Sequence, residues 1–444
     1  MPGILILGAG RSSSSLISYV QQQAKRQGWQ LTVGDYSPEA ARERLAGDNY
    51  GRAIRFDIHD QVLSATVIGD ADVVVSLMPA HLHVAVAQHC LERGKHLLTA
   101  SYVTREMKAL DADARRKGLL FLNECGLDPG IDHMSALQVI DRIRDKGGRL
   151  LSFESFTGGL IAPDTAPENP WRYKFTWNPR NVVMAGQSTA KYLVDGSYQY
   201  IPYHQLFRRI TPVKVEGVAY EGYANRDSLK YREVYGLDDI QTMLRGTLRY
   251  KGFCHAWNVL VQLGCCDDTY EMEKVETMTH RQFIESFVAH RDSTVERAIC
   301  DALALQAAGP EMQRLDWSGL FSNERVGLAA GTPARILEHI LLKKWTLLAE
   351  DKDFVVMWHR FVYTQEGHKH VLHAHLTAMG NNAVETAMAR TVGLPLGIAT
   401  CLLMEGKITT RGVAIPVSRD IYDPVLRELR TLGIELHEEE IDNR

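Results

Sequence analysis

The sequence predicts an α/β protein that begins with a doubly wound parallel sheet. Over the first 125 residues, short apolar runs typical of buried parallel strands alternate with helix-like stretches. A glycine-rich turn, Gly8-Ala9-Gly10, joins the first apolar run to the first helix. Gly94 and Gly118 stand where two later helices should end. Such alternation is typical of βαβ units, which place successive strands parallel in one sheet.

The individual elements follow from the period of the apolar residues and from local capping signals. Six strands of the first sheet are predicted at 4–7, 31–33, 53–56, 73–77, 96–99 and 119–122. The segments 152–157 and 171–177 indicate a second α/β domain, and residues 237–323 have a mostly helical pattern. Thr332-Pro333 predicts a helix start, and alternation predicts a strand pair at 354–363 and 370–377. The tail predicts helices at 383–404 and after Pro424.

Composition excludes some classes of function. The 444 residues carry a net charge of −4, with 45% hydrophobic and 23% charged residues, which favours a soluble globular protein without a nucleic-acid or membrane partner. No apolar run is long enough to predict a membrane-spanning helix. The seven cysteines contain no Cys-x-x-Cys pair, so neither a zinc ribbon nor a disulfide framework is predicted. We expect a reduced, cytoplasmic protein without a metal.

The N-terminal strand, turn and helix predict a Rossmann-type dinucleotide site. Gly8 permits the tight turn, and Gly10 lets backbone N–H groups approach a pyrophosphate. The small Ser13 allows helix and strand to pack closely, with the phosphates at the positive helix N-terminus. Asp35 ends the second strand at the distance where an acid meets the ribose 2′-hydroxyl of NAD.

The same acid bears on the choice between NAD and NADP. Asp35 would repel a 2′-phosphate, and the residues after it, Tyr36 and Ser37, offer no cation. Arg42 and Arg44 could swing back toward the ribose, so NADP stays possible. The residues by themselves favour NAD.

Candidate catalytic residues lie in the loops that follow the predicted strands, because ligands of open parallel sheets bind at the carboxyl ends of the strands. Asp128 precedes Pro129-Gly130 and is either a catalytic carboxylate or a turn former. Tyr102 is a proton donor or a half-buried aromatic. His83 is interpreted as a residue of the first turn of a helix rather than as a base.

Several blocks of the sequence resemble the L-glutamate-forming saccharopine dehydrogenases, also called saccharopine reductases. The resemblance covers essentially the whole chain. The blocks are Ser101-Tyr102-Val103, the segment from Asn123 to His133, Gly158-Gly159-Leu160 with Ala162-Pro163, residues 173–177, 225–228 and 245–250, and Gly412-Val413 with Pro416 and Asp423-Pro424.

The resemblance implies a particular domain organisation. A dinucleotide-binding domain at 1–128 is completed by residues 390–444. Residues 129–228 and 329–389 form an α/β domain for substrate binding and dimerisation, and 229–328 form a helical insertion. A homodimer is expected.

The resemblance also implies an activity in lysine metabolism. Saccharopine is oxidised reversibly with NAD(P)⁺ and water to L-glutamate and 2-aminoadipate 6-semialdehyde. The three carboxylates of saccharopine need cationic anchors, for which Arg226 and Arg245 are the best candidates. Thr247, Gly158 and Gly159 add hydrogen bonds. Asp128 takes a proton or orients water, and Tyr102 hydrogen-bonds the substrate.

The family pattern also assigns cofactor contacts along the chain. The predicted cofactor-binding residues are Gly8, Gly10, Arg11, Ser12, Ser13, Asp35, Asp57, Ile58, Leu77, Ser101, Tyr102, Leu127, Asp128 and Thr176. Fungal members of the family place a Cys-Arg pair where Asp35-Tyr36 stands. This departure removes an anchor for the 2′-phosphate and favours NAD.

Two alternatives stay open. A carboxynorspermidine synthase-like reductase shares the fold, but its polycationic substrate needs a pocket rich in carboxylates, whereas Arg226 and Arg245 are cations. A non-catalytic NAD-binding relative would have lost Asp128, Arg226 or Arg245, and all three are present.

Overall fold

The computed structural model describes residues 1–45, 50–187, 189–289 and 293–441. These residues fold as two compact units. The first contains Met1–Gly148 and Leu376–His437, and the second contains Arg149–His375 and the residues from Glu438 onward. Of the predicted domain ranges, residues 46–49, 188, 290–292 and 442–444 lie outside the described residues.

The strands are named in chain order. They are β1 (Gly3–Leu7), β2 (Gln30–Asp35), β3 (Arg52–Arg55), β4 (Val73–Ser76), β5 (His96–Thr99), β6 (Leu120–Leu122), β7 (Arg149–Ile161), β8 (Ala190–Val194), β9 (Ser197–Ile201), β10 (Ile210–Val215), β11 (Val218–Ala224), β12 (Thr242–Tyr250), β13 (Asp353–Gln365), β14 (His368–Met379), β15 (Gly412–Ala414) and β16 (His437–Glu440).

The helices are named in the same way. They are α1 (Ser14–Gln27), α2 (Pro38–Leu45), α3 (Gln61–Gly69), α4 (His83–Arg93), α5 (Arg105–Ala109), α6 (Asp111–Arg116), α7 (Ile131–Asp145), α8 (Pro179–Val183), α9 (Phe253–Leu263), α10 (His280–Glu285), α11 (Val295–Leu303), α12 (Pro310–Trp317), α13 (Pro333–Trp345), α14 (Ala387–Met404) and α15 (Arg419–Thr431).

The sheet of the first unit is parallel throughout and has the order β15-β6-β5-β4-β1-β2-β3. Its interior strand β1 is completely buried, which explains the uninterrupted apolar run Ile4–Leu7. Strand β15 comes from the C-terminal part of the chain and pairs with β6. The strand order reverses between β1 and β4, and open sheets bind ligands at the carboxyl ends of the strands beside such a reversal.

The first unit extends beyond the predicted boundaries at 128 and 390, since it runs to Gly148 and resumes at Leu376. Helix α7 belongs to it because that helix packs against α15. The Tyr422 hydroxyl donates to Asp141 at 2.6 Å, and Arg419 donates to Asp145 at 2.7 Å. The last helix begins at Arg419, ahead of the predicted start after Pro424, and Pro424 lies inside it.

Helix α14 packs closely against α1 through two glycines. A Cβ atom on Gly393 would lie 2.8 Å from the Leu16 backbone nitrogen, and one on Gly397 would lie 3.2 Å from the Leu16 side chain. The helix has a mean hydropathy of 1.5 and meets the length and composition of a membrane-spanning helix, which the sequence analysis did not expect. Because 78% of it is buried inside the protein, it has the character of a core helix.

The second unit contains a mixed sheet with the order β10-β11-β12-β7-β13-β14-β16, and β8 pairs with both β12 and β9. Its strand β12 corrects the sequence prediction, which placed 242–250 in the helical insertion. Gly246 is required there, because a Cβ atom would lie 2.3 Å from the Phe156 ring. The helices of this region begin only at Phe253.

The helices of the second unit pack around a cluster of aromatic side chains. The ring centroids of Trp171 and Trp345 lie 5.2 Å apart, and those of Tyr173 and Phe253 lie 5.3 Å apart. Trp171 and Tyr173 are fully buried, so these rings belong to the core.

Candidate active site

The glycine-rich turn of the first unit has the geometry that a pyrophosphate requires. Gly8 has a φ of +105°, and a Cβ atom on it would lie 3.0 Å from the carbonyl group of Leu77. A Cβ atom on Gly10 would meet no atom within 4 Å, so the space beside Gly10 is open. The buried Ser13 donates its hydroxyl to the Gly10 carbonyl at 2.7 Å. These residues fit a dinucleotide that approaches the start of α1.

Asp35 is held against this turn by two backbone donors. Its Oδ2 accepts from Ala9 N–H at 2.7 Å, and its Oδ1 accepts from Ser37 N–H at 2.9 Å. Each carboxylate oxygen can accept a further hydrogen bond, so Asp35 can also receive ribose hydroxyls. Arg44 donates to the Ala9 and Gly10 carbonyls at 3.4 Å, which places a guanidinium beside the same turn.

His83 connects the ends of β4 and β5. Its Nδ1 lies 2.9 Å from the Ser76 hydroxyl oxygen, and its Nε2 lies 2.7 Å from Ser101 Oγ and 3.3 Å from Thr99 Oγ1. Burial lowers the pKa of His83 to about 4, so the imidazole is neutral at physiological pH. The loops that carry Leu77 and Ser101 are therefore joined by a neutral histidine.

A second buried network supports the loop of Tyr102. Glu124 has a φ of +56°, and its backbone N–H donates to the Ser101 carbonyl at 3.0 Å. Its Oε1 accepts from Val103 N–H at 3.0 Å, and its Oε2 lies 3.0 Å from His133 Nε2. The side chains of Glu124 and His133 are almost completely excluded from solvent. Glu124 thus fixes the backbone on both sides of Tyr102, through its own N–H on the Ser101 side and through its carboxylate on the Val103 side.

The loop of Asp128 is fixed by its own backbone and by α7. The Gly126 N–H donates to the Pro129 carbonyl at 3.0 Å, and the Gly130 N–H donates to Asp132 Oδ1 at 2.6 Å. Only glycine fits at 130, since a Cβ atom there would lie 2.0 Å from the Gly126 oxygen. Asp128 itself stays half-buried, so its carboxylate is held on a rigid loop within reach of solvent.

The other predicted cofactor residues of this unit lie near the same edge of the sheet. Asp57 follows β3, and its Oδ1 accepts from His59 N–H at 3.0 Å. Ile58 and Leu127 are buried, so any contact from them would come from the backbone. Arg11 is exposed and Ser12 is half-buried at the start of α1. Their roles stay predictions.

In the second unit, one face of β12 carries three polar residues in alternate positions. Arg245, Thr247 and Arg249 share this face, and Arg245 and Arg249 are both buried. The Arg245 guanidinium lies over the ring of Tyr231, 4.5 Å from its centroid. The exposed Arg226 follows β11, where the preceding Asn225 donates its N–H to the Arg245 carbonyl at 2.8 Å. The structure therefore places the backbones of the two predicted anchors on neighbouring segments of this sheet.

Gly158 and Gly159 have different surroundings. A Cβ atom on Gly158 would lie 2.7 Å from the Leu248 oxygen, so this glycine allows β7 to approach β12. Residues 157 and 159 share the face of Thr247, because Thr157 pairs with Thr247 in parallel register. Of the two glycines, Gly159 is on the face that carries the arginines, and Gly158 is on the opposite face.

Arg249 adds a positive charge that the sequence analysis did not emphasise. Its guanidinium lies 4.8 Å from the Tyr173 ring centroid and 5.2 Å from that of Phe253, and it forms no ion pair with any described residue. Burial lowers the pKa of Arg249, but the phenols of Tyr223 and Tyr173 outweigh this effect and raise it. This face of β12 therefore carries two buried guanidinium groups. Thr176, a predicted cofactor residue, is also buried, and its hydroxyl has no hydrogen-bond partner within the described part of the chain.

Two family models together match almost the whole chain. The family model described as "Saccharopine dehydrogenase NADP binding domain" matches residues 4–122. The one described as "Saccharopine dehydrogenase C-terminal domain" matches residues 126–434. The chain belongs to the saccharopine dehydrogenase family. The family resemblance that the sequence motifs predicted is thus confirmed, and the first unit belongs to a class of domains that bind a nicotinamide dinucleotide.

Relatives within the saccharopine dehydrogenase family match along the whole chain. Saccharopine dehydrogenase [NADP(+), L-glutamate-forming] of Schizosaccharomyces pombe is 31% identical, and the match covers 100% of both chains. A solved structure of apo saccharopine dehydrogenase (L-Glu forming) from Saccharomyces cerevisiae superposes with a TM-score of 0.89 at 29% identity, covering 100% of both. The predicted α/β fold class is confirmed.

Some members of the saccharopine dehydrogenase family are longer. The mitochondrial alpha-aminoadipic semialdehyde synthase of Rattus norvegicus is 33% identical over 97% of this chain, but the match covers 47% of the rat protein. The chain therefore spans about half the length of these relatives.

Sequence reasoning missed two structural features of the candidate site in this member of the saccharopine dehydrogenase family. It assigned His83 to a helix turn, although His83 also joins two loops at the sheet edge. Glu124 and His133 both lie in the family-like segment from Asn123 to His133, but the sequence did not predict that they pair. A signal existed, since polar residues at the predicted carboxyl ends of buried strands require partners. The identity of those partners depends on the packing of the strands.

Proposed function

We propose that this protein is an oxidoreductase that oxidises saccharopine to L-glutamate and 2-aminoadipate 6-semialdehyde, in the reversible reaction of its named fungal relatives. The observation that carries this proposal is the full-length match to the Saccharomyces cerevisiae enzyme, with a TM-score of 0.89 at 29% identity. That match extends over both the glycine-rich turn and the cationic strand β12, so it is more informative than a shared cofactor domain alone.

The proposed chemistry balances without a metal. The carbon that becomes the aldehyde loses a hydride, and the neighbouring secondary amine loses a proton, which gives a C=N bond. Water adds to that carbon, and the C–N bond then breaks to release glutamate and the semialdehyde. A bound nicotinamide supplies the hydride acceptor. The protein has to supply orientation, proton transfer and charge matching.

Proton transfer is assigned to the first unit. Asp128 takes the amine proton or orients the attacking water, because its half-buried carboxylate sits on a loop fixed at Gly126 and Gly130. Tyr102 hydrogen-bonds the substrate, and Glu124 fixes the backbone around it. The buried carboxylate thus acts on Tyr102 through the loop.

Substrate binding is assigned to the second unit. Arg226 and Arg245 bind carboxylates of saccharopine, because a guanidinium pairs with a carboxylate through two parallel hydrogen bonds. Thr247 and the backbone at Gly159 add further hydrogen bonds, whereas Gly158 allows β7 to approach β12. A polycationic polyamine is not the expected substrate, because the guanidinium groups of Arg226 and Arg245 would repel it.

Of the two nicotinamide dinucleotides, NAD is the proposed cofactor. Its support is the Asp35 carboxylate, which would repel a 2′-phosphate. Two facts favour NADP instead: the matching family model is described as NADP binding, and the fungal relatives are named as NADP(+) enzymes. Arg44 beside the turn is the cation that NADP would use.

Initial rates of nicotinamide reduction with saccharopine, measured in parallel with NAD⁺ and NADP⁺, test both assignments. We expect turnover with NAD⁺ to exceed that with NADP⁺. Turnover with NADP⁺ alone would keep the activity and reject the assignment of NAD. Absence of turnover by protein that binds NADH would reject saccharopine as the substrate.

A further inference from the structure

The histidine between β4 and β5 has a role that neither the family assignment nor the proposed reaction explains. His83 begins α4, and its ring reaches hydroxyl groups on both strands. The side chain is 4% exposed, and Ser76 is completely buried. The geometry is therefore that of an internal connection between two loops at the cofactor edge of the sheet.

The Ser76 hydroxyl indicates how the ring is protonated. Its only side-chain hydrogen bond to a described residue is the one to His83 Nδ1, at 2.9 Å. If the buried Ser76 hydroxyl only accepted a hydrogen bond from the ring, its own proton would have no acceptor, which is unfavourable. Ser76 therefore donates to Nδ1, and the single ring proton lies on Nε2.

The proton on Nε2 then determines the direction of the Ser101 hydroxyl. Ser101 Oγ is nearer to Nε2 than Thr99 Oγ1 is, at 2.7 Å against 3.3 Å. Thr99 Oγ1 already accepts from Ser101 N–H at 3.2 Å. Nε2 donates to Ser101, so the hydroxyl proton of Ser101 remains available for an acceptor outside this network. Ser101 is half-buried, so an acceptor on a bound molecule can reach it.

We propose that His83 is a positioning residue for the dinucleotide, which accepts from Ser76 and donates to Ser101 so that the Ser101 hydroxyl donates to the bound cofactor. This inference rests on the proposed function only in that the chain binds a nicotinamide dinucleotide. It requires neither saccharopine nor a particular choice between NAD and NADP. His83 acts through Ser101 and is not itself a catalytic residue.

Two conservative substitutions separate positioning from packing. His83→Gln places an amide near the Nε2 position and can still reach Ser101. His83→Asn places its amide near Nδ1 and can reach only Ser76. We expect the dissociation constant for NADH, measured from its fluorescence, to rise about threefold to tenfold in H83N and to stay within twofold in H83Q.

Matched controls are available on the same helix and in the same network. His89 is also buried on α4, and its Nδ1 has no hydrogen-bond partner among the described residues. H89N should therefore bind NADH as the wild type does. Ser101→Ala should weaken binding as much as H83N does, and combining S101A with H83N should cause no further loss, because both remove the same hydrogen bond.

The outcomes distinguish this inference from the proposed function. Wild-type protein that binds neither NADH nor NADPH rejects both. Wild-type protein that binds, with S101A and H83N within twofold of it, rejects only the inference. Equal weakening in H83Q and H83N also rejects it, since packing alone would then explain the effect. Circular dichroism shows whether H83N folds. If it does not, the single variants S101A and H83Q test the inference instead, and we expect weak NADH binding by S101A and normal NADH binding by H83Q.

Discussion

At the scale of single residues, Asp35 is the basis of the proposal that the cofactor is NAD rather than NADP. Its carboxylate is fixed by Ala9 and Ser37, so it cannot move aside for a 2′-phosphate without losing two hydrogen bonds. We predict that Asp35→Ser raises the ratio of kcat/KM for NADP⁺ to that for NAD⁺ by about tenfold or more, since hydrogen bonds to charged groups are strong. Steady-state rates with each cofactor measure this ratio. Glu39→Gln, an exposed carboxylate on α2, should leave it unchanged, and an unchanged ratio in D35S would remove the basis for NAD.

Asp128 is the residue on which the proposed chemistry depends. Asp128→Asn keeps the size of the side chain but removes the base, so we predict that kcat falls by about 10² to 10⁴. The dissociation constant for NADH, measured by fluorescence, should change much less than kcat. Asp164→Asn, an exposed residue of the second unit, serves as the control. Normal kcat in D128N would mean that Asp128 only forms a turn.

His83 also predicts a pH dependence of stability. Burial lowers its pKa to about 4, whereas the unfolded chain titrates near 6.5, so the unfolded state binds more protons between these values. The stabilisation is complete above pH 6.5 and is lost as the pH falls toward 4. Between pH 7 and pH 5 we predict that this histidine contributes a loss of about 2 kcal/mol in the free energy of unfolding. The loss measured by urea unfolding should be smaller in His83→Gln than in the wild type, and unchanged in the exposed variant His59→Gln.

At the scale of elements, the contact of α14 with α1 depends on the absence of a side chain at Gly393. We predict that Gly393→Ala destabilises the protein by about 1–3 kcal/mol, because its Cβ would lie 2.8 Å from the Leu16 nitrogen. A fall in Tm measures this effect. Gly69→Ala at the end of α3 is the control, since its nearest neighbour there would be a flexible arginine carbon at 3.9 Å. Equal Tm values for the two variants would contradict the prediction.

The elements of the first sheet were predictable because each strand is a local apolar run between helices. The structure places β5 at the predicted residues 96–99, shifts β3 by one residue, and extends or shortens the other four by one to three residues. Strand β12 was missed, although its alternating polar residues at 245, 247 and 249 have the period of a strand. Its apolar face consists of Leu244, Gly246 and Leu248, and a glycine at the centre of that face weakened the signal.

At the scale of the whole molecule, binding of the cofactor should affect one edge of the first sheet. We predict that saturating NADH slows amide hydrogen exchange in the loop 8–13 and in the loops after β4, β5 and β6. The amino ends of β1 and β2, at Gly3 and Gln30, lie at the opposite edge and serve as an internal control. NADH at 100 times its dissociation constant should stabilise the folded protein by about 2.7 kcal/mol. Protection at the amino ends instead would place the cofactor elsewhere.

Several whole-molecule expectations stay predictions. The homodimer is tested by light scattering, and a cytoplasmic location is tested by fractionation of cells. The domain division inferred from the family resemblance differs from the two compact units in two respects. The structure assigns residues 129–148 and 376–389 to the first unit, and it assigns the residues from Glu438 onward, predicted to complete the dinucleotide-binding domain, to the second unit.

The sequence by itself determined the dinucleotide turn, the acid at the end of β2, the six successive strands of the first unit and the family. These depend on local spacing, since Gly8, Gly10 and Asp35 belong to one βαβ unit. Only the tertiary structure decided which residues support them. Ser76, His83 and Ser101 come from three separate elements, and Glu124 pairs with His133 across a loop. A buried polar group must find its partner wherever packing places one, and packing is a property of the folded chain rather than of any one segment.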